Sequence, residues 1–103
     1  MMSLVPALAF AANELVATVD EQEVTLTLTL DAQLSGTDET VLNVFQDGKK
    51  LATTMTVAAT ETTGSTTVTV APAATAKTYT FAVKKTDGTD VATAAPVTVA
   101  ADP

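Results

Sequence analysis

The reactive side chains of this sequence are carboxylates, hydroxyls and five lysines, because the chain contains neither histidine nor cysteine. The pairings of a base with a nucleophile that most hydrolases use therefore cannot form. The sequence also lacks a Gly-rich phosphate loop, a metal-binding histidine pair and a Ser-centred nucleophile elbow. Without cysteine there is no disulfide framework and no thiolate metal site. These absences predict a protein that is not an enzyme and needs no cofactor.

Carboxylates could still bind a hard cation. Ca²⁺ takes six to eight oxygen ligands, and two predicted loops are acidic, although their spacing matches no calcium-loop signature. The candidate calcium ligands are Asp31, Asp38, Glu39, Asp87 and Asp90. The alternative, which we favour, is a solvated loop end that resists stacking of domains, since surface loops are ordinarily rich in Asp and Gly.

The charge balance restricts the possible partners. Twelve acidic residues against five lysines give a formal net charge of −7, and there is no arginine. Phosphate recognition needs clustered Lys or Arg, so nucleic-acid binding is not expected. An acidic surface favours solubility and suits exposed settings such as a cell surface or a virus particle.

Residues 24–30 (VTLTLTL) carry the clearest structural pattern. Four aliphatic side chains alternate with three threonines, which predicts a strand with one buried and one solvated face. Twenty-two threonines and only four aromatic residues indicate a β-rich protein with an aliphatic core. Six further strands are predicted at residues 15–19, 41–45, 51–57, 66–70, 78–84 and 91–99. Apolar residues fall on both faces of residues 41–45, which predicts a central strand that is covered on both sides or contacts something outside the domain. The leucines of residues 24–30 are expected to face Val68, Val70, Phe81 and Val83.

Turn residues separate these strands. Asp47-Gly48 and Asp87-Gly88 supply the positive φ angles of tight hairpins. Residues 58–64 are predicted to form a polar loop. Pro96 cannot donate a ladder hydrogen bond, so the last strand is expected to be an edge strand or to bulge there. Seven short strands without an intervening helix predict one all-β domain, a single antiparallel β-sandwich, over residues 13–103.

Residues 68–72 (VTVAP), 78–83 (TYTFAV), Asp87-Gly88 and 95–99 (APVTV) resemble the last three strands of fibronectin type III and bacterial or phage immunoglobulin-like domains. In such domains a tyrosine near the start of the sixth strand bonds back to the preceding corner, and Tyr79 resembles that residue. The resemblance implies an immunoglobulin-like topology. It also implies that the two acidic loops lie at the same end of the domain.

Residues 1–12 (MMSLVPALAFAA) are apolar but too short to span a bilayer, which needs about 20 residues. They could be a leader remnant, although the basic n-region of a signal peptide is missing. They could instead be an arm that lies across the domain or binds a protein scaffold or a second subunit, or they could be a frayed terminus. The arm residues expected to contact a partner are Leu4, Val5, Leu8 and Phe10.

Threonine rows on a sheet could match ordered water, a sugar or another sheet, but a solvated β surface is the simpler interpretation. The sequence therefore predicts a non-catalytic structural or interaction module of a surface assembly. Such an assembly could be a virion, with this chain as a decoration or tail protein, or a bacterial surface or filament structure. The alternative is a carbohydrate- or protein-binding accessory domain of a secreted enzyme or adhesin. The expected location is a virion surface or the extracellular side of a cell.

Overall fold

The computed structural model describes residues 13–102. This part of the chain is all-β: it contains strands, turns and loops but no helix, and therefore no helix that could cross a membrane. All strand pairs are antiparallel. The strands are β1 (Glu14–Asp20), β2 (Glu23–Thr29), β3 (Thr40–Gln46), β4 (Lys49–Val57), β5 (Thr63–Thr69), β6 (Lys77–Tyr79), β7 (Phe81–Lys85), β8 (Asp90–Thr93) and β9 (Val97–Val99).

The strands form three sheets. One has three strands in the order β1-β2-β5, a second has four in the order β4-β3-β7-β8, and β6 pairs with β9 in a short third sheet. The predicted strand at residues 24–30 is the central strand of the first sheet. Residues 41–45, predicted to be a central strand, lie inside the second sheet between β4 and β7.

The buried face of β2 follows directly from its alternating sequence. Val24, Leu26 and Leu28 have no exposed surface, whereas the threonines between them are exposed. Because cross-strand partners in a sheet point to the same side, β1 and β5 add the buried Leu15 and Val68 to this face, whereas Val19 at the end of β1 remains 37% exposed. Each fully buried aliphatic side chain stabilises the fold by about 1.5–3 kcal/mol relative to exposure.

The two larger sheets contribute their buried residues to a single core. Phe81 is the largest fully buried side chain, and the remainder is mostly aliphatic, as predicted from the composition. The predicted partners of the β2 leucines, Val68, Val70, Phe81 and Val83, all belong to this core. Tyr79 is half-buried beside it, with its ring centroid 6.3 Å from that of Phe81.

Both predicted hairpins are present. Asp47 (φ 52°) and Gly48 (φ 83°) occupy the left-handed region between β3 and β4, as a two-residue hairpin of this type requires. Gly88 (φ 94°) lies in the turn between β7 and β8. The amide of Gly88 donates to the Lys85 carbonyl at 2.9 Å within that turn.

The structure has nine strands rather than about seven, because the last two predicted strands are each divided. Residues 78–84 break at Thr80, and residues 91–99 break between β8 and β9, where Pro96 lies. The pairing shifts by one residue across this break, from Ala82 opposite Thr93 to Tyr79 opposite Val97. A proline has no amide hydrogen to continue the ladder, which accounts for the interruption.

The predicted loop at residues 58–64 is shorter than expected, because β5 begins at Thr63. Gly64 lies on the inner side of β5, opposite Leu28 of β2. A Cβ atom at Gly64 would lie 2.9 Å from Val57 Cγ2 and 3.3 Å from Met55 Sδ, both on β4. The glycine therefore serves the close approach of β4 to β5, not a turn.

Candidate functional surfaces

The outer side of the three-stranded sheet is a continuous polar surface, which we name the threonine face. It consists of the outward residues of β1, β2 and β5, and all twelve are exposed. Its members are Glu14, Val16, Thr18, Asp20, Glu23, Thr25, Thr27, Thr29, Thr63, Ser65, Thr67 and Thr69. Eight of the twelve residues have hydroxyl side chains. These side chains are short and of similar length, so the face is even, and each hydroxyl can both donate and accept a hydrogen bond.

The sheet register arranges these residues in rows across the strands. Thr18, Thr25 and Thr67 form one row. Val16 lies in the next row, beside Thr27, and is the most exposed large hydrophobic residue of the described chain, at 44%. The carboxylates occupy only the first and last rows, so acidic groups border a central area of hydroxyls around one valine.

The outer side of the four-stranded sheet differs in chemistry, and we name it the lysine face. It comprises the outward residues of β3, β4, β7 and β8, as their register and alternation place them. They are Val41, Asn43, Phe45, Lys50, Thr54, Thr56, Ala82, Lys84, Asp90 and Thr93. Val41 is 38% exposed, so β3 is not covered on both of its faces. Coverage on both faces was one of the two arrangements that its apolar pattern had suggested.

Lys84 organises the centre of the lysine face. Its Nζ lies 5.0 Å from the centroid of the Phe45 ring, which is a cation–π arrangement. The same nitrogen lies 3.5 Å from Asp90 Oδ1, so the two side chains form an ion pair. Because both side chains are substantially exposed, the ion pair adds at most about 1 kcal/mol to stability.

The two sheets carry opposite charge. The strands of the three-stranded sheet contain three carboxylates and no lysine, and Glu21 adds a fourth carboxylate in the β1–β2 turn. The strands of the four-stranded sheet contain four lysines and one carboxylate, and Asp47 and Asp87 add two carboxylates in its turns. Two of these lysines, Lys50 and Lys84, are on the outer face, whereas the register places Lys49 and Lys85 on the inner side. The strand alternation and the absence of lysine from residues 14–29 and 63–69 were visible in the sequence. The sequence interpretation nevertheless treated the threonine face as merely solvated.

The two acidic loops are joined through Asn13. Its side-chain oxygen accepts the amide hydrogen of Asp31 at 3.1 Å, and its side-chain nitrogen donates to the carbonyl of Val91, next to Asp90, at 3.1 Å. Asn13 therefore links the start of the β2–β3 loop to β8. This contact brings Asp31 and Asp90 to the same region of the molecule.

The structure does not gather the candidate calcium ligands into a site. Within residues 13–102, no three Asp or Glu side chains come together closely enough to hold a metal ion. Asp38 Oδ2 accepts a hydrogen bond from the Thr37 hydroxyl at 3.3 Å, and Asp90 is paired with Lys84. Glu39 is an exposed residue of the β2–β3 loop. The acidic end is thus a set of separately solvated or locally bonded carboxylates.

Asp87 is a carboxylate whose pKa is lowered by its own turn. The Thr89 side chain and the Thr89 amide, which donates to Asp87 Oδ1 at 2.9 Å, bond to its charged form and lower its pKa. The positive charge of Lys85 lowers the pKa further. This shift stabilises a turn at the surface and does not mark a desolvated acid or base.

Neither a protein-family model nor a curated protein sequence matches this chain. What the protein does is therefore inferred from its own surfaces.

Two shallow grooves lie where the edges of the sheets approach each other. One, of about 350 Å³, lies between β1 and the segment around Pro96, and Asn13 is at its margin. The other, of about 490 Å³, lies between β4 and β5 and includes Thr27, Thr56 and Glu61. Neither groove collects charged groups that converge on one point. They resemble seams between sheets more than a pocket for a small molecule.

The predicted arm residues Leu4, Val5, Leu8 and Phe10 lie outside the described residues. Their proposed contact with a scaffold or a second subunit stays a prediction. The first described residue, Asn13, is held in place by its two hydrogen bonds.

Proposed function

We propose that this chain is a non-catalytic structural or interaction module of a surface assembly, folded as an immunoglobulin-like β-sandwich. The assembly is a virion, in which the chain is a decoration or tail protein, or a bacterial surface or filament structure. The chain would then lie at a virion surface or on the outside of a cell. Its partners are a protein scaffold or further copies of itself, contacted in part through residues 1–12.

The strand order supports the immunoglobulin-like part of this proposal. In that fold the first, second and fifth strands share one sheet, while the third, sixth and seventh share the other. Here β1, β2 and β5 form one sheet, and β3 lies beside β7, which pairs with β8. β4 then occupies the position next to the third strand that a further strand takes in variable-type domains. The split pairs β6–β7 and β8–β9 correspond to the sixth and seventh strands.

The single observation that carries the functional proposal is the division of polar and apolar residues. In the part of the chain that the structure describes, no polar or charged side chain is buried, and the core is formed entirely by apolar residues. Active sites characteristically hold desolvated titratable groups with shifted pKa values. Asp87, whose pKa is lowered, is fully exposed and bonded within its own turn. This distribution favours a module that acts through its surface.

The alternative role, a carbohydrate-binding accessory domain, has less support. Sugar sites usually present exposed aromatic platforms, and the aromatic rings described here are buried or half-buried. Phe81 is in the core, Tyr79 packs beside it, and Phe45 lies under the Lys84 ammonium group. The small exposed area of these rings leaves little surface for a sugar to stack on.

The test compares the full chain with a variant that lacks residues 1–12. The native source is first fractionated by size, and the protein is expected to sediment with a large particle. Light scattering of the two purified proteins then measures oligomeric state, and recombining each with the stripped particle measures docking. We expect deletion to reduce assembly or docking.

Two results would count against the proposal. Recovery of the protein solely as a free monomer would contradict membership of an assembly. Binding of the full chain to a polysaccharide, with no docking on any particle, would favour the accessory-domain role. If the deletion variant has the same melting temperature as the full chain but no longer docks, residues 1–12 are the attachment segment. Unchanged docking would remove residues 1–12 from the proposal.

A further inference from the structure

We propose that the threonine face of one copy of this chain packs against the lysine face of a second copy. This inference rests on the proposed role as an assembly module and names a contact by which copies associate. The occupant of each face is therefore the opposite face of an identical chain. Three features of the described residues carry the inference: charge, surface shape and the difference between the two faces.

Charge complementarity is the first feature. The three-stranded sheet presents Glu14, Asp20 and Glu23 with no lysine to offset them. The lysine face presents Lys50 and Lys84, with Asp90 beside Lys84 as its one carboxylate. Two threonine faces would bring six carboxylates together, and like charges in contact oppose association. A threonine face against a lysine face instead brings carboxylates close to ammonium groups, which steers the copies into this one pairing.

The surface shape of the two faces is the second feature. The threonine face carries short hydroxyl side chains around Val16, so another sheet can approach it closely. The lysine face exposes Val41 and the half-buried Phe45 on its inner strand β3, on either side of Asn43. Apolar groups inside a polar border are the usual arrangement of protein interfaces. Asn43 and the threonines of β4 can exchange hydrogen bonds with the facing hydroxyls.

The third feature is that the two faces differ from each other. A contact between different surfaces of identical chains is heterologous, so each added copy leaves one free face of each kind. Copies joined in this way form an open row or, if the rotation closes, a ring. A lone two-fold dimer cannot satisfy both faces.

The size of the faces determines how strong this contact can be. Seven-residue strands at about 3.3 Å per residue and three strands at about 4.8 Å spacing give a face of roughly 300 Å². Stable interfaces bury about 800 Å² on each partner. The contact is therefore weak and reversible in dilute solution. It becomes significant where a scaffold holds copies side by side at high effective concentration.

The experiment uses two face variants, each with a control of the same charge change. Lys50→Glu alters the lysine face, and its control is Lys77→Glu on β6, away from that face. Glu23→Lys alters the threonine face, and its control is Glu39→Lys in the β2–β3 loop. All four side chains are exposed, so each variant is expected to fold, as a thermal melt verifies.

Self-association of the full chain is measured by sedimentation velocity up to millimolar concentration, at low and at high NaCl. We expect the native chain to associate with itself, and we expect this association to weaken as the NaCl concentration increases. Each face variant is expected to associate roughly threefold to tenfold more weakly than its control. An equimolar mixture of Lys50→Glu with Glu23→Lys is expected to associate more tightly than either variant alone, because the unaltered threonine face of Lys50→Glu meets the unaltered lysine face of Glu23→Lys.

Equal association of each face variant and its control would overturn the inference, as would a mixture no tighter than its components. A native chain that stays monomeric at millimolar concentration in low salt would also overturn it. These results would leave the proposed function intact if the chain still docks on a particle through residues 1–12. Loss of both docking and self-association would contradict the two proposals together.

Discussion

Asp47 and Thr80 exchange two hydrogen bonds between the β3–β4 turn and the break that separates β6 from β7. The Asp47 amide donates to the Thr80 carbonyl at 2.8 Å, and the Thr80 amide donates to Asp47 Oδ1 at 2.9 Å. Gln46 lies opposite Phe81 in the ladder, so Asp47 and Thr80 occupy the next paired position. Asp47 Oδ1 thus accepts the Thr80 amide hydrogen, which a backbone carbonyl oxygen would accept if the ladder continued.

This relationship predicts that Asp47→Ala destabilises the domain by about 1–3 kcal/mol, whereas Asp47→Asn changes stability much less. Alanine loses the acceptor for Thr80 and is strained at a φ of 52°, whereas asparagine retains an acceptor oxygen and tolerates this conformation. Urea denaturation of the three proteins measures the difference in unfolding free energy. Equal stability of the alanine and asparagine variants would contradict this role for the side chain.

Gly64→Ala is expected to destabilise the domain by about 1–3 kcal/mol, because its new methyl group would overlap Val57 of β4. The matched control is Gly36→Ala, where a Cβ would lie 3.4 Å from Gln33 Nε2 on the flexible end of a side chain. Thermal or urea denaturation compares the two. Adding Val57→Ala to Gly64→Ala tests the mechanism, since the double variant should lose less stability than the sum of the single changes.

Leu28→Ala is expected to cost about 2–5 kcal/mol, because Leu28 has no exposed surface and its removal leaves a cavity in the core. Leu28→Asp should prevent folding, since it buries an unpaired charge. Thr27→Asp provides the control at the neighbouring, outward position of the same strand. Circular dichroism during urea denaturation should show Thr27→Asp within about 1 kcal/mol of the native chain, the range of strand propensities.

Asp87 is expected to contribute to the acid sensitivity of the domain. Its pKa is lowered in the folded state by bonds from Thr89 and by the charge of Lys85, so its ionised form is favoured by folding. This contribution is present above about pH 4, the ordinary aspartate value, and is lost as the pH falls through the lowered folded pKa. Nuclear magnetic resonance titration of the Asp87 carboxyl carbon measures the shift directly. Thr89→Ala should move the midpoint upward, and an unchanged midpoint would contradict the assignment.

Much of this protein could be predicted from local patterns. The alternation in residues 24–30 predicted both the buried leucines and the exposed threonines of β2, because a strand directs successive side chains to opposite sides. The Asp47-Gly48 pair predicted a hairpin, because few other residues adopt positive φ angles in succession. The all-β class and the aliphatic core likewise followed from composition and spacing, which are properties of short segments.

Other features depended on contacts between distant segments. Gly64 was interpreted as part of a loop. The reason for a glycine there is the close approach of β4 to β5, which the residues next to it in sequence do not reveal. The break at Thr80 depends on where β3 ends, 34 positions earlier in the chain at Gln46. The candidate calcium ligands lay in the right kind of loop, but whether their oxygens converge is a matter of side-chain placement in space.

The sequence by itself determined which residues of β2 are buried and which are exposed, and the hydroxyl-rich character of the chain surface. Only the tertiary structure decided which strands share a sheet. That pairing collects the carboxylates of β1 and β2 on one side and Lys50 and Lys84 on another. The physical reason is that alternation is set by the local backbone, whereas the charge of a whole face is a sum over strands that are distant in sequence and adjacent only after folding.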